Sequence, residues 1–153
     1  MSERQGTLEQ TFISVVEKLT FMFGEPVDLA EIEVGDEPWV EARMEFGGDL
    51  VGSLAVIVPA SLQPEIASNI LGLDADGLDT QEVLDDALRE TLNVVCGHVI
   101  MALAGPEASF ELVAPSNQML SQDQLAALLA APGTSAYLLD EEPVLLNLEL
   151  TQE

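Results

Sequence analysis

Apolar residues recur along this chain with two different periods, which separate predicted helices from predicted strands. In residues 7–23 they recur at steps of three and four, which is typical of an amphipathic helix. Gly24 and Pro26 are expected to end that helix. Further helices are predicted over 61–71, over about 80–104, and over "QLAALLA" up to Pro132. The apolar positions of the first helix are Leu8, Phe12, Val15, Val16, Leu19 and Phe23.

The sequence also indicates where two of the helices start and where the strands lie. Asp79, three residues before Glu82, and Ser121, three residues before Gln124, predict capping boxes for the last two helices. Strict alternation in "WVEARMEF" and the apolar run "LVGSLAVIV" predict an antiparallel hairpin over 39–58 that turns at "GGD". The remaining predicted extended segments are 27–34, "ASFELVAP", and a closing hairpin of "SAYLLD" and "VLLNLEL".

The order of these elements predicts an α+β fold, in which an antiparallel or mixed β-sheet is backed by α-helices. The length fits a single domain over residues 1–153. In the last strand, the leucines at 146, 148 and 150 are expected to face the core, while Asn147 and Glu149 are expected to face solvent. This strand is apolar enough to be a sheet edge that pairs with a second copy of the chain.

The strongly negative charge of the chain limits the kinds of molecule that it is expected to bind. The chain has 28 acidic residues against four basic ones and a net charge of −24, which disfavours nucleic acids and anionic lipid surfaces. No apolar run approaches the roughly 20 residues that span a bilayer, and "MSERQGTLEQ" is unlike a secretory leader, so a cytoplasmic protein without membrane insertion is expected. The acidity fits a solvated surface, a surface that meets a basic partner, or both.

The helix predicted over 80–104 has two opposite faces. One is a stripe of Leu84, Leu88, Leu92, Val95, Val99 and Leu103. On the other side, Asp86, Glu90, Asn93 and Gly97 follow one another at steps of four, three and four, so Glu90 and Asn93 should lie one turn apart. Asn and Gly weaken a helix interior by several tenths of a kcal/mol and about 1 kcal/mol. This face is either ordinary solvated surface or a surface that meets a partner.

The spacing of Asp86, Glu90 and Asn93, followed by Gly97 and by Pro115 after a further stretch of chain, resembles the signature of the CheC/CheX/FliY family of chemotaxis phosphatases. A single copy of the motif and the chain length resemble the CheX branch. At the equivalent places on the first helix stand Ile13, Glu17 and Thr20, without the asparagine, so we interpret that helix as structural.

The resemblance implies a phosphatase that hydrolyses the phospho-aspartate of a CheY-like response regulator in chemotaxis or related two-component signalling. It implies that Asn93 positions the attacking water, that Glu90 contacts a lysine of the regulator, and that Asp86 and Gly97 contact the partner. Gly97 would admit the partner's loops or pack closely within the chain. The resemblance further implies a homodimer, no cofactor bound by this chain, and Mg²⁺ held by the regulator.

The sequence also fits two other functions: a module of the same fold that binds a regulator or motor component without hydrolysis, and an acidic structural domain. The sequence offers few other candidate groups. His98 is expected to pack at a helix flank, and Cys96, the only cysteine, to be an inert thiol. Asp74, Asp76 and Asp79 have calcium-like spacing but lack a glutamate twelfth ligand, so we expect a solvated loop and no metal site.

Overall fold

The computed structural model describes residues 3–72 and 80–151, which form one seven-stranded sheet with four α-helices. Short 3-10 helices lie at Leu29–Glu31 and Ala60–Leu62. The elements are, in chain order, α1 (Glu3–Thr20), β1 (Gly24–Val27), β2 (Trp39–Gly48), β3 (Gly52–Pro59), α2 (Gln63–Leu71), α3 (Gln81–Ala104), β4 (Phe110–Leu112), β5 (Ser116–Leu120), α4 (Gln122–Ala130), β6 (Thr134–Leu139) and β7 (Glu142–Leu150).

The sheet order is β1-β6-β7-β3-β2-β4, and β5 also pairs with β2, beside β4. Every pairing among the described strands is antiparallel. The predicted α+β fold is therefore confirmed, and of the two sheet types that the sequence left open, the antiparallel one is present.

The sheet is covered on both faces, which explains why residues 54–58 are apolar on both sides. Leu54, Val56 and Val58 belong to the larger core, which lies under α1, α2 and α3. Ala55 and Ile57 belong to a smaller cluster on the opposite face, next to Leu120 and Leu125 of the β5–α4 segment. The helix side therefore forms the main core, and α4 closes part of the other side.

The first helix differs from its prediction at both ends. It begins at Glu3 and ends at Thr20, so Phe23 lies beyond it and is exposed. The helix stops because Phe21 takes a left-handed backbone conformation with φ of 60° while its N–H still donates to the carbonyl oxygen of Glu17. The predicted core positions Leu8, Phe12, Val15 and Val16 are buried, whereas Leu19 is half-buried.

Two extended segments also differ from their predictions. The segment predicted over 27–34 is instead β1 at 24–27, followed by a 3-10 turn that Asp28 caps. Pro26 is accommodated because β1 is an edge strand, where a missing N–H breaks no ladder. The strand predicted over 108–115 is only Phe110–Leu112, and β5 was not predicted because its first three residues, "SNQ", are polar.

The closing hairpin is confirmed, but two conclusions drawn from it are wrong. β7 lies between β3 and β6, so it is an interior strand and offers no edge to a second chain. The homodimer thus loses that support and stays a prediction. Asn147 is 1% exposed rather than facing solvent, and its amide donates to the Thr134 hydroxyl at 2.9 Å and accepts from Arg43 at 3.0 Å, so its polar atoms are satisfied inside the fold. Leu146 and Leu148 face the main core as predicted.

Helix α3 is the one helix of the described ranges that is long and apolar enough to cross a bilayer. Its 18-residue apolar window is 44% buried inside the fold. Contacts with α1, α2, β2 and β3 account for that composition, so this helix is the central core helix of the molecule.

Substituting Phe21 with glycine tests the strain at the end of α1. The side chain is 78% exposed, and a left-handed conformation is unfavourable for any residue with a Cβ. Phe21→Gly should therefore raise the free energy of unfolding by roughly 0.5–1 kcal/mol in urea denaturation. Phe21→Ala is the control, because it removes the ring but keeps the Cβ. Equal stability of the two variants would contradict this explanation.

Candidate functional site

The candidate site lies on α3, whose start is fixed by Thr80. The Thr80 hydroxyl accepts a hydrogen bond from the N–H of Val83 at 3.3 Å, so the N-cap is one residue later than the predicted cap at Asp79. Asp79 itself lies outside the described residues. At α4, the predicted capping box of Ser121 and Gln124 is confirmed in both of its hydrogen bonds.

The predicted apolar stripe of α3 faces the main core. Its middle positions Leu88, Leu92, Val95 and Val99 are at most 1% exposed, and the end positions Leu84 and Leu103 are half-buried. Thr91 is also buried, and its hydroxyl donates to the Ala87 carbonyl oxygen at 2.9 Å. The burial of one side of this helix determines which residues face solvent on the other side.

All four candidate residues lie on the outer side of α3. Asp86, Glu90 and Asn93 are exposed, and Gly97 is half-exposed. Glu90 and Asn93 form no hydrogen bond or ion pair with any residue in the described part of the chain, and one helical turn separates them. A carboxylate and an amide are thus held side by side on a packed helix with their polar atoms free for a partner.

Asp86 differs from the other three because it has a partner within the chain. Its carboxylate pairs with Arg89, and the Arg89 guanidinium also donates to the side-chain oxygen of Asn117 on β5 at 2.9 Å. Arg89 therefore ties the first half of α3 to the edge of the sheet. The sequence indicated the pairing of Asp86 with Arg89 only through their spacing of three, and nothing local in it indicated Asn117.

Gly97 leaves open space rather than a close contact. Apart from the neighbouring backbone of α3 itself, a Cβ added at this position would meet no atom of the described residues within 4 Å. Of the two explanations for this glycine, close packing within the described chain is therefore wrong, and the approach of a partner remains. Pro115 stands between β4 and β5, at the break where β2 changes from one pairing strand to the other.

On α1, the residues equivalent to the motif have structural roles. Thr20 is fully buried, and its hydroxyl donates to the Val16 carbonyl oxygen at 2.7 Å. The Glu17 carboxylate accepts from the N–H of Gly24 at 3.0 Å and so fixes the start of β1. This agrees with the interpretation of α1 from its sequence.

The other candidate groups offer no catalytic arrangement. His98 is exposed, and its Nδ1 lies 2.9 Å from the Val94 carbonyl oxygen of the same helix, to which it donates. Cys96 is fully buried, and desolvation raises the pKa of its thiol to about 12. Within the described ranges, no group of three or more His, Cys, Asp or Glu side chains is arranged to hold a metal ion. The calcium-like spacing of Asp74, Asp76 and Asp79 lies outside those ranges.

A substitution at Gly97 tests whether the space beside it is empty. Gly97→Ala should raise the free energy of unfolding by roughly 0.5–1 kcal/mol, because alanine favours the helix and its Cβ meets nothing. Gly52→Ala is the matched control: its Cβ would lie 2.0 Å from the Glu149 carbonyl oxygen and should destabilise the fold. Urea denaturation measures both, and a destabilised Gly97→Ala variant would show an unrecognised contact.

Thiol labelling tests the burial of Cys96. Burial raises the pKa of the thiol to about 12, so very little thiolate is present at pH 8, and the side chain is inaccessible. A thiol-disulfide reagent should therefore label the folded protein far more slowly than the urea-unfolded protein. Comparable rates in the two states would contradict a buried, inert Cys96.

Comparisons with known proteins give the family. The sequence model of the family described as Chemotaxis phosphatase CheX matches residues 40–134, which run from β2 to the start of β6 and include the whole of α3. No curated protein matches the chain at a significant level.

Several solved structures share the fold. A CheX from Vibrio vulnificus has a TM-score of 0.70 at 17% identity, over 97% of both chains. A CheX–CheY complex with BeF3 and Mg from Borrelia burgdorferi includes a chain with a TM-score of 0.67 at 14% identity, over 98% of this chain and 99% of that one. FliY from Thermotoga maritima has a TM-score of 0.58 at 11% identity, over 99% of this chain and 91% of that one. The fold and the family match agree, and this chain belongs to the CheX family of chemotaxis phosphatases.

Proposed function

We propose that this protein hydrolyses the phospho-aspartate of a CheY-like response regulator. The observation that carries the proposal is the free pair of Glu90 and Asn93 on the outer face of α3. Membership of a family of chemotaxis phosphatases supports it, as does a relative of the same fold that was solved in complex with CheY, BeF3 and Mg. The substrate of this phosphatase would be another folded protein domain.

The chemistry needs a positioned water more than a protein nucleophile. Water attacks phosphorus, the bond from phosphorus to the aspartyl oxygen breaks, and the products are a free carboxylate and inorganic phosphate. In this proposal, the amide oxygen of Asn93 accepts a hydrogen bond from the water, and its NH₂ group donates to a phosphoryl oxygen. An amide suits this role because it offers both a donor and an acceptor and does not titrate.

Glu90 would dock the regulator beside that amide. We propose that its carboxylate accepts a charge-assisted hydrogen bond from a lysine at the phosphorylation site of the regulator, formed as the interface loses water. One helical turn separates Glu90 from Asn93, so a lysine held by one sets the position of the phosphoryl group relative to the other. The Mg²⁺ that neutralises phosphoryl charge would belong to the regulator, and this chain would contribute no metal ligand.

The other two residues of the outer face, Gly97 and Asp86, would help the partner to fit against α3. Gly97 leaves room for the partner's loops one turn beyond Asn93. Asp86 would make a peripheral contact while it holds Arg89, which anchors α3 to β5. Because α3 is packed in the core before the regulator arrives, little conformational entropy would be lost when the two meet. We further propose that the protein acts in the cytoplasm, where its substrate would be, and as a homodimer.

Loss of the amide should abolish turnover. Asn93→Ala should lower the stimulated dephosphorylation of a purified CheY-like regulator by about 10²-fold or more, because a hydrogen bond made in the transition state disappears. The measurement is release of phosphate from the phosphorylated regulator, with and without this protein. Asn93→Asp keeps the shape but loses the NH₂ donor, and it should be similarly impaired. Full activity of either variant would contradict the assigned role.

Loss of the carboxylate should weaken docking. Glu90→Ala should raise KM about tenfold or more, because a charge-assisted contact to a lysine is removed. Glu65→Ala, which removes an exposed carboxylate from α2, is the matched control and should leave KM unchanged. A wild-type protein that binds the activated regulator without accelerating hydrolysis would instead identify a binding module.

A further inference from the structure

The basic side chains of this protein differ in whether a carboxylate pairs with them. Arg43 pairs with Glu41, and Arg89 pairs with Asp86. Lys18, the one lysine of the sequence, is exposed and forms no hydrogen bond or ion pair with any residue of the described ranges. The chain has 28 acidic residues, yet none of those in the described ranges pairs with this exposed cation, which is therefore available to a partner molecule.

Lys18 stands at the rim of a groove between α1 and α3. The groove has a volume of about 200 Å³, which suits one large apolar side chain. Its apolar walls are Val15 and Leu19 from α1 and Val94 from α3, and its other lining residues are Ser14, Lys18 and His98. It is therefore an apolar slot with a single free ammonium group beside it.

The groove adjoins the proposed docking face. Val94 and His98 come one residue after Asn93 and Gly97, about 100° further round the helix, so the groove borders one flank of the surface that carries the motif. A stable complex covers roughly 800 Å² on each partner. A domain seated on Glu90 and Asn93 would therefore extend over the neighbouring groove or over the opposite flank at Arg89.

The free lysine and the empty slot favour the groove side. We propose that the groove is the second docking point for the phosphorylated receiver domain, which would insert an apolar side chain and place a carboxylate next to Lys18. The proposal rests on the proposed function, and it identifies what would select the partner and its orientation. Glu90 would bind a positive group and Lys18 a negative one, so a receiver turned the wrong way would place like charges together.

A simpler role for Lys18 has a different consequence. A cation in the last turn of a helix stabilises the helix through its dipole, and Lys18 is in the last turn of α1. If that were its whole role, replacing it would change stability and leave the affinity for the regulator unchanged. Measurements of KM and of binding therefore separate the two roles.

Two substitutions test the groove from different directions. Lys18→Gln removes the charge and should raise KM, and the Kd for the regulator activated with beryllofluoride and Mg²⁺, about fivefold without changing kcat. Ser14→Phe fills the slot from an exposed position and should raise both constants about tenfold. Lys18→Arg keeps a cation at the rim and should restore values close to wild type.

The control has the same net charge as Lys18→Gln. Gln122→Glu adds one negative charge on α4, which lies against the opposite face of the sheet, and it should leave KM and Kd unchanged. The proposal is overturned if Lys18→Gln and Ser14→Phe stay within twofold of wild type, or if Gln122→Glu is as impaired as Lys18→Gln. Failure of the proposed function gives a different result. A wild-type protein that binds the regulator but does not accelerate hydrolysis refutes the phosphatase activity, while the Kd values of the variants still test the groove as a docking point. A wild-type protein that neither binds nor hydrolyses refutes both proposals.

Discussion

The burial of one side of α3 is the constraint on which the rest of this structure depends. Leu88, Leu92, Val95 and Val99 pack against α1 and the sheet, and full burial of such side chains contributes roughly 1.5–3 kcal/mol each. A rotation of the helix that exposed this stripe would lose much of that energy. The orientation of Glu90 and Asn93 is thus fixed by hydrophobic packing, although neither residue takes part in it.

The same packing explains how a helix can carry two unfavourable residues in its interior. Asn93 and Gly97 cost the helix an estimated 1–2 kcal/mol together, which the buried stripe offsets several times over. The Arg89 contact to Asn117 adds a polar attachment between α3 and β5. Because tertiary contacts hold the helix in place, its outer face is free to vary in sequence, and that is where a functional surface can be built.

Local patterns in the sequence predicted the parts of the fold that depend on neighbouring residues. Three features were predicted correctly because each follows from spacings of two to four residues. They are the two faces of α3, the hairpin of β2 and β3, and the capping box at Ser121. The sequence did not reveal that β7 is an interior strand, because strand order depends on pairings between distant segments. β5 was missed because polar residues give an edge strand little periodicity. In the candidate site, the four motif positions lie on one face of α3 as predicted. Asn117 was not predicted to lie near them, because it is 28 residues from Arg89 and only the pairing of β5 with β2 brings it close.

A polar cluster of Arg43, Ser53 and Asn147, on the face of the sheet that α4 partly covers, has a consequence for folding. Arg43 of β2 donates to Ser53 of β3 at 2.9 Å and to Asn147 of β7 at 3.0 Å, so one guanidinium spans three adjacent strands. If β2 or β7 slipped by one residue, these polar groups would turn toward the leucine-rich interior and lose their partners. The cluster therefore makes misregistered pairings of the sheet costly, and it does so on both sides of β3, whose residues 54–58 are apolar on both faces and would otherwise tolerate a shift.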